Sequence, residues 1–174
     1  MESIQWTGRK HLPIIRQTES AECGLACLAM ISYWYGLRID LSSLRERFRI
    51  NNQGMTLQRL IECASSINLS SRAVRLEPED LKSLKLPCIL HWNMNHFVVL
   101  NNVKGNKFTI HDPDKGILKT NIKEISKYFT GIALELTPTH KFEQKDERKK
   151  IRLNDLTGKT IGLLPSMLRI VIFA

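Results

Sequence analysis

A run of apolar and small residues that begins at Cys23 constrains the fold most strongly. Nearly every position over residues 23–35 is apolar, so no polar face is available to water. Gly36 follows the run, and glycine is the residue that most often ends a helix. A helix that is apolar on all sides has to be enclosed by other elements. The sequence therefore predicts a buried helix over residues 23–35, with Cys23 in its first turn.

The sequence after this helix predicts two further helices and then a series of strands. Ser42 is predicted to cap a helix over residues 44–48, and Thr56 to begin one over residues 57–67. Strands are predicted over residues 73–76, 88–91, 96–100, 107–111 and 132–136. Between and after them, one or two helical turns that begin at a proline are predicted over residues 78–84, and a helix over residues 122–129. Helices first and an antiparallel sheet afterwards define an α+β fold.

Length and composition limit the classes of function. A chain of 174 residues with 43% hydrophobic residues suits one packed domain. Its formal net charge of +9 favours a polyanion, a membrane surface or an acidic peptide as neighbour. No basic stretch is interleaved with aromatic residues, which argues against nucleic acid. Four cysteines without a CxxC pair, and no export signal, predict free thiols in a reducing cytoplasm.

The chain changes character after residue 138. Residues 139–160 are highly charged and are predicted to form a linker. Residues 161–174 are apolar again, but a membrane span needs about 20 residues. We interpret them as the truncated start of a first transmembrane helix, with the preceding basic residues on the cytoplasmic side. A short amphipathic helix is the alternative.

Cys23 is the candidate nucleophile. The dipole and the free N–H groups at a helix N-terminus favour a thiolate there. Glu22 would oppose that charge if it pointed inward, so we expect it to face solvent. Gln17 lies in the extended lead-in, from which its amide can direct a donor to the same point as the Cys23 backbone N–H.

His96 and Asp112 form a plausible imidazole–carboxylate pair. His96 begins one predicted strand, and Asp112 follows the end of the next, with a Gly105-Asn106 hairpin turn between them. Side chains directly opposite on adjacent antiparallel strands lie about 5 Å apart, so the two can meet.

Each of these residues also has a purely structural interpretation. A cysteine on an apolar helix is usually part of the core, and we assign Cys27, Cys63 and Cys88 to it. Asp112 can serve only to form a turn. His91 and His111 fit as hydrogen-bonded structural histidines. A metal site of Cys23, Cys27, His91 and His96 is possible, although the surrounding sequence is unlike a compact zinc module.

Three segments in order resemble the motifs of the C39 peptidase family. Residues 17–30 resemble its cysteine motif, residues 88–100 its histidine motif and residues 111–116 its aspartate motif. The resemblance covers residues 12–138 and is strongest to the peptidase domains of bacteriocin-exporting ABC transporters of the colicin V and microcin type. We therefore delimit a peptidase domain at residues 1–138.

The resemblance implies a papain-like fold and cleavage of a bacteriocin or microcin precursor immediately after the Gly-Gly pair of its leader, coupled to export. By motif, Cys23 is the nucleophile, His96 the general base and acid, and Asp112 the group that orients His96. The Gln17 side chain completes the oxyanion hole. Nothing departs from the family pattern at these four positions.

The resemblance also implies partners. The leader peptide is expected in an apolar groove, with candidate walls at Trp34, Tyr35, Met55, Trp92 and Met94. The other expected partners are the transmembrane and nucleotide-binding domains of the same transporter, which is expected to be a homodimer. The peptidase domain is expected on the cytoplasmic face of a bacterial inner membrane. No cofactor and no metal are expected in this domain, whereas the nucleotide-binding domain would use ATP. A non-catalytic module that docks the leader, and another thiol acyl-transfer enzyme such as a transglutaminase, are the alternatives.

Overall fold

A six-stranded antiparallel sheet lies between two apolar cores in the computed structural model, which describes residues 11–49 and 54–148. The helices are α1 (Cys23–Trp34), α2 (Leu41–Phe48), α3 (Leu57–Ser66) and α4 (Ile122–Tyr128), with 3-10 helices at Ser20–Glu22 and Pro78–Ser83. The strands are β1 (Leu69–Arg75), β2 (Cys88–Trp92), β3 (His96–Lys104), β4 (Lys107–Asp112), β5 (Gly116–Thr120) and β6 (Phe129–Pro138). The predicted α+β architecture, with a helical part followed by an antiparallel sheet, is confirmed.

The order of strands across the sheet is β1-β6-β2-β3-β4-β5. Side chains alternate between the two faces along each central strand, as the pleat requires. On β3, Phe97 and Val99 belong to the core shared with α1, α2 and α3, whereas Val98 and Leu100 belong to the second core, which α4 and the second 3-10 helix cover. Both faces of the central strands are therefore buried.

Helix α1 is enclosed as its sequence predicts. Every residue over positions 25–32 is 0% exposed, and the helix packs against β3. The polar side chain of Ser32 is accommodated because its hydroxyl donates to the carbonyl of Leu28, at 2.8 Å. The helix ends at Trp34, and Gly36 follows with φ of +101°, a conformation that favours glycine.

The caps of the next two helices show one correct prediction and one error. Thr56 caps α3, accepting the backbone N–H of Arg59 at 3.1 Å. Helix α2, however, begins at Leu41 and is capped by Asp40, whose Oδ1 accepts the backbone N–H of Ser43 at 2.7 Å. Both Asp40 and Ser42 are good capping residues, and the carboxylate occupies the position that reaches the first-turn amides.

Strand β5 was not predicted. It forms the outer edge of the sheet, pairing only with β4 among the described strands, and one of its apolar residues, Ile117, is 50% exposed. An edge strand with an exposed face lacks the apolar alternation that identifies a half-buried strand. Strand β1 also begins at Leu69, earlier than expected, because its polar residues pair with β6.

Residues 139–148, the first part of the predicted linker, are packed on the helical layer. The ring of Phe142 meets the ring of Tyr35 edge-on, with centroids 6.4 Å apart. The backbone N–H of Arg38 donates to Lys145, and that of Glu147 donates back to Arg38, each at 2.8 Å. This segment therefore runs past the C-terminal end of α1.

Residues 149–160 of the predicted linker and the predicted membrane-helix start at 161–174 lie outside the described residues. Within the described ranges, no helix has the length and apolarity that crossing a membrane requires.

We predict that Leu28→Ala lowers the free energy of unfolding by about 2–5 kcal/mol, because a buried leucine leaves a cavity inside an enclosed helix. Ile117→Ala on the edge strand is the matched control and should change it by less than about 0.5 kcal/mol. Urea denaturation of both variants measures the difference. Equal losses would contradict the central role assigned to α1.

Candidate active site

A cleft of about 440 Å³ opens beside the N-terminal end of α1. It lies where the lead-in to α1, the β2–β3 hairpin tip and the turn after β4 come together. Its lining residues are Gln17, Ser20, Ala21, Gly54, Trp92, Asn93, Asn95, His96, Asp112, Asp114, Lys115 and Tyr128. Three of the four residues predicted to act in chemistry are therefore part of one cleft wall.

The fourth, Cys23, contacts that wall through His96. Cys23 is the first residue of α1 and His96 is the first residue of β3, and α1 packs against β3. Hydrogen bonding with Cys23 is one of the interactions that raise the pKa of His96, so the two side chains are neighbours. The His96 Nε2 atom is engaged by Asp112, which leaves Nδ1 as the ring nitrogen available to the sulfur.

The Nε2–H group of His96 donates to Oδ1 of Asp112 at 2.9 Å. The two residues are diagonal neighbours on the sheet, because β4 pairs with β3 in a register that places His111 opposite Val99. They are therefore not directly opposite, contrary to what the predicted hairpin suggested. A diagonal pair is farther apart at the backbone, and the long imidazole spans the difference.

Two opposing influences set the pKa of His96. Burial by itself lowers this pKa, since it disfavours the imidazolium ion. The hydrogen bonds to Asp112 and Cys23 and the charges of both groups outweigh burial and raise the pKa of His96 to about 9. The imidazole is therefore held ready to carry a proton at neutral pH.

Asp112 is fixed by its own turn. It is 1% exposed, and its Oδ1 accepts the backbone N–H groups of Asp114 at 2.8 Å and Lys115 at 3.3 Å. Burial tends to raise the pKa of Asp112, but the hydrogen bond from His96 and those two amides lower it overall. The carboxylate is thus ionised and oriented before any ligand arrives.

Gln17 is held at the cleft by its backbone. Its N–H donates to the carbonyl of Pro113 at 3.1 Å, which ties the lead-in to the Asp112 turn. Its side-chain Oε1 is buried without a hydrogen-bond partner among the described residues. The Gln17 side chain is part of the cleft lining, and the Nε2–H group of its amide is the donor that it can offer there.

The expectation that Glu22 faces solvent is wrong. Glu22 is 3% exposed, and its carboxylate pairs with Arg45 of α2 and accepts two backbone amides of the lead-in. These partners lower the pKa of Glu22 although burial alone would raise it. The compensation by Arg45 depends on how α2 packs beside α1, which the sequence around Glu22 does not reveal.

The other thiols and histidines have structural surroundings. Cys27, Cys63 and Cys88 are buried in the cores, and burial raises the pKa of each thiol, so they are poor nucleophiles. The Nδ1–H of His111 donates to Pro13 at 3.1 Å, and its Nε2 accepts from Asn101 at 3.2 Å. Within the described ranges, no group of three or more metal-ligating side chains is placed to hold a metal ion.

Two aromatic rings form one side of the cleft. Trp92 stacks on Tyr128 with centroids 5.6 Å apart, and the backbone N–H of Asn93 donates to the Tyr128 carbonyl at 2.7 Å. Trp92 was a predicted wall residue, whereas no sequence pattern pointed to Tyr128 at the end of α4. The hairpin tip next to them holds Asn93 and Met94 at φ of 49° and 66°, and Met94 is 78% exposed.

The remaining predicted wall residues lie elsewhere. Met55 is buried against Gly24, where an added Cβ would meet its Sδ at 2.8 Å. Trp34 and Tyr35 lie at the opposite end of α1 from Cys23, where Tyr35 contacts residue Phe142.

The site has the parts of a thiol nucleophile that is activated by a base. These are a thiol at a helix N-terminus, an imidazole that contacts it, and a buried carboxylate that holds the imidazole. Together with the helical part and the antiparallel sheet, they define the class of protein as a papain-like cysteine peptidase domain.

The chain belongs to the Peptidase C39 family, whose family model matches residues 11–141. It is 42% identical over 167 residues to the colicin V secretion/processing ATP-binding protein CvaB of Escherichia coli, and 43% identical over 167 residues to the probable microcin-H47 secretion/processing ATP-binding protein MchF of the same species. Each alignment covers 96% of this chain and 24% of the relative, so the chain spans about a quarter of their length.

A solved structure supports the same fold. The chain resembles the crystal structure of a double glycine motif protease from an AMS/PCAT transporter in complex with the leader peptide, with 39% sequence identity and a TM-score of 0.70. The likeness covers 77% of this chain and 96% of that one. The expected family, fold and enzyme class are confirmed.

We predict that Asp112→Asn lowers the pKa of His96 from about 9, because the variant loses the carboxylate that favours the imidazolium ion. NMR titration of the imidazole C–H resonances measures this directly. His91, whose ring bonds Thr130 on β6, is the internal control and should titrate as before. An unchanged His96 titration would show that Asp112 does not hold the imidazole in solution.

Proposed function

We propose that this domain is a cysteine endopeptidase that cleaves a bacteriocin or microcin precursor immediately after the Gly-Gly pair of its leader. The observation that carries the proposal is the contact of Cys23 with an imidazole that Asp112 holds at 2.9 Å. Two findings support the substrate. The names of the relatives combine secretion with processing, and the similar solved structure is a double glycine motif protease with a leader peptide.

In the acylation step, the Cys23 thiolate attacks the carbonyl carbon of the second glycine. A C–S bond forms, and the carbonyl π electrons move to oxygen, giving a tetrahedral oxyanion. When the oxyanion collapses, the C–N bond breaks, and the His96 imidazolium gives its Nδ1 proton to the departing amine. A thioester of the leader and a neutral imidazole remain.

In the deacylation step, His96 Nδ1 takes a proton from water as the water oxygen attacks the thioester. A second tetrahedral oxyanion collapses with cleavage of the C–S bond. The leader leaves with a C-terminal carboxyl group, which loses its remaining proton to solvent, and the thiolate–imidazolium pair is restored. Asp112 keeps Nε2 protonated and the ring oriented through both steps.

Gln17 is assigned to the oxyanion, together with the backbone N–H of Cys23. Support comes from the position of Gln17 on the cleft wall, where the Nε2–H group of its amide can donate to a carbonyl oxygen bound in the cleft. Donors that are already in place when charge develops on the carbonyl oxygen stabilise the transition state more than the ground state.

The same relatives support a transporter as the partner of this domain. We assign the domain to the cytoplasmic side of a membrane transporter, with transmembrane and ATP-binding domains that act as a homodimer. The relatives are named as ATP-binding secretion proteins, and the chain covers only a quarter of them, which leaves room for such domains.

Cys23→Ala should abolish cleavage of a precursor peptide that contains the Gly-Gly pair, because Cys23 interacts with His96 and the other three cysteines are buried in the cores. Mass spectrometry of the products measures the effect. Cys63→Ala, which removes a thiol from the core under α3, is the matched control and should retain cleavage. Cleavage by the Cys23 variant would refute the peptidase mechanism. Transfer of the leader to an amine instead of water would identify an acyl transferase.

Gln17→Ala should lower kcat by about 10²–10³-fold, as loss of one oxyanion donor does in other enzymes, with little change in KM. Steady-state cleavage of the same peptide gives both constants. Equal effects on binding and on rate would assign Gln17 a structural role, and a pure loss of binding would favour a leader-docking function.

A further inference from the structure

Glu22, the residue before the nucleophile, is a buried carboxylate that the catalytic steps above do not use. It is 3% exposed. Burying a carboxylate is costly unless the charge is paired and hydrogen-bonded. A buried charge beside a thiolate would also oppose that thiolate. A buried carboxylate at this position is therefore stable only if its partners compensate its charge.

Those partners connect three parts of the chain. One carboxylate oxygen, Oε2, accepts the backbone N–H of Thr18 at 3.1 Å and that of Glu19 at 3.2 Å. The other, Oε1, accepts Nε–H of Arg45 on α2. The guanidinium neutralises the carboxylate, and the two amides fix it to the lead-in.

The two amides come directly after Gln17 in the chain. On the other side, the backbone N–H of Gln17 donates to Pro113 in the turn that holds Asp112. Gln17 is therefore anchored at both ends, once to the turn of the acid and once to the residue next to Cys23. Loss of the Glu22 anchor would leave the lead-in free to shift relative to the sulfur.

We propose that Glu22 is a positioning residue, with Arg45 as its counter-charge. By anchoring the lead-in, it fixes the position of the Gln17 side-chain amide relative to the Cys23 sulfur. The inference rests on the proposed oxyanion role of Gln17 and deepens it. Glu22 acts only through Gln17, and it does not touch the substrate.

A double-mutant cycle tests this directly, with a Gly-Gly precursor peptide as substrate and the 174-residue chain as enzyme. Glu22→Ala should lower kcat, by up to the 10²–10³-fold that loss of the donor itself causes, and change KM little. In a Gln17→Ala background the same substitution should have almost no further effect on kcat, because residues that act as one unit are not additive. Equal effects in both backgrounds would overturn the proposal.

A second measurement tests whether Glu22 positions Gln17 or instead changes the reactivity of the Cys23 thiol. It is the rate at which iodoacetamide alkylates Cys23, with the labelled site mapped by mass spectrometry. This reaction needs the thiolate but forms no oxyanion, so Glu22→Ala should leave its rate within about twofold of the wild type. A fall that matches the fall in kcat would overturn the proposal, because Glu22 would then act on the nucleophile or on the fold.

Glu22→Gln covers the case in which the alanine variant does not fold. Its side-chain oxygen can still accept the Thr18 and Glu19 amides, so it should retain more kcat than Glu22→Ala.

Glu62→Ala removes a carboxylate paired with Arg59 on the exposed face of α3, and it is the matched control with unchanged kcat. A glutamine variant that is no better than alanine would overturn the proposal. If Gln17→Ala alone leaves kcat unchanged, the oxyanion assignment has failed, which is a separate result.

Discussion

The packing of α1 against β3 is the interaction on which the site depends. Cys23 is the first residue of α1 and His96 is the first residue of β3, so the relative position of sulfur and imidazole is set by how these two elements fit together. Neither element can move alone, because α1 is enclosed on all sides and β3 is buried on both faces. The chemistry therefore takes its precision from the centre of the core, although both reacting residues lie at the ends of their elements.

Charge at the site is controlled by hydrogen bonds from the backbone as well as by opposite charges. Asp112 and Glu22 are both buried carboxylates near the thiol, and each accepts two main-chain N–H groups from residues close to it in sequence. Each then has one cationic partner, His96 for Asp112 and Arg45 for Glu22. The difference between those partners separates their roles. Arg45 stays protonated, so Glu22 is a fixed anchor, whereas His96 exchanges its proton during the proposed reaction.

Local sequence patterns predicted the parts of the site that depend on local structure. The apolar run placed Cys23 at a helix start, and the Gly105-Asn106 turn brought the strands of His96 and Asp112 together. Local patterns did not predict contacts between segments that are distant in the sequence. The burial of Glu22 depends on Arg45 from another helix, and the diagonal placement of the imidazole and carboxylate follows from a register that no single strand encodes.

Residues 139–148, the described segment after the sheet, lie away from the cleft. Residues 139–148 run past Tyr35 and Arg38, just beyond the C-terminal end of α1, while Cys23 lies at the other end. Twelve residues of helix separate these ends by about 18 Å, at 1.5 Å for each residue. Within the described residues, then, the segment that follows the sheet and the cleft that would hold a leader occupy opposite ends of one rigid helix. No residue of this segment lines the cleft, so a peptide bound there would not have to displace it.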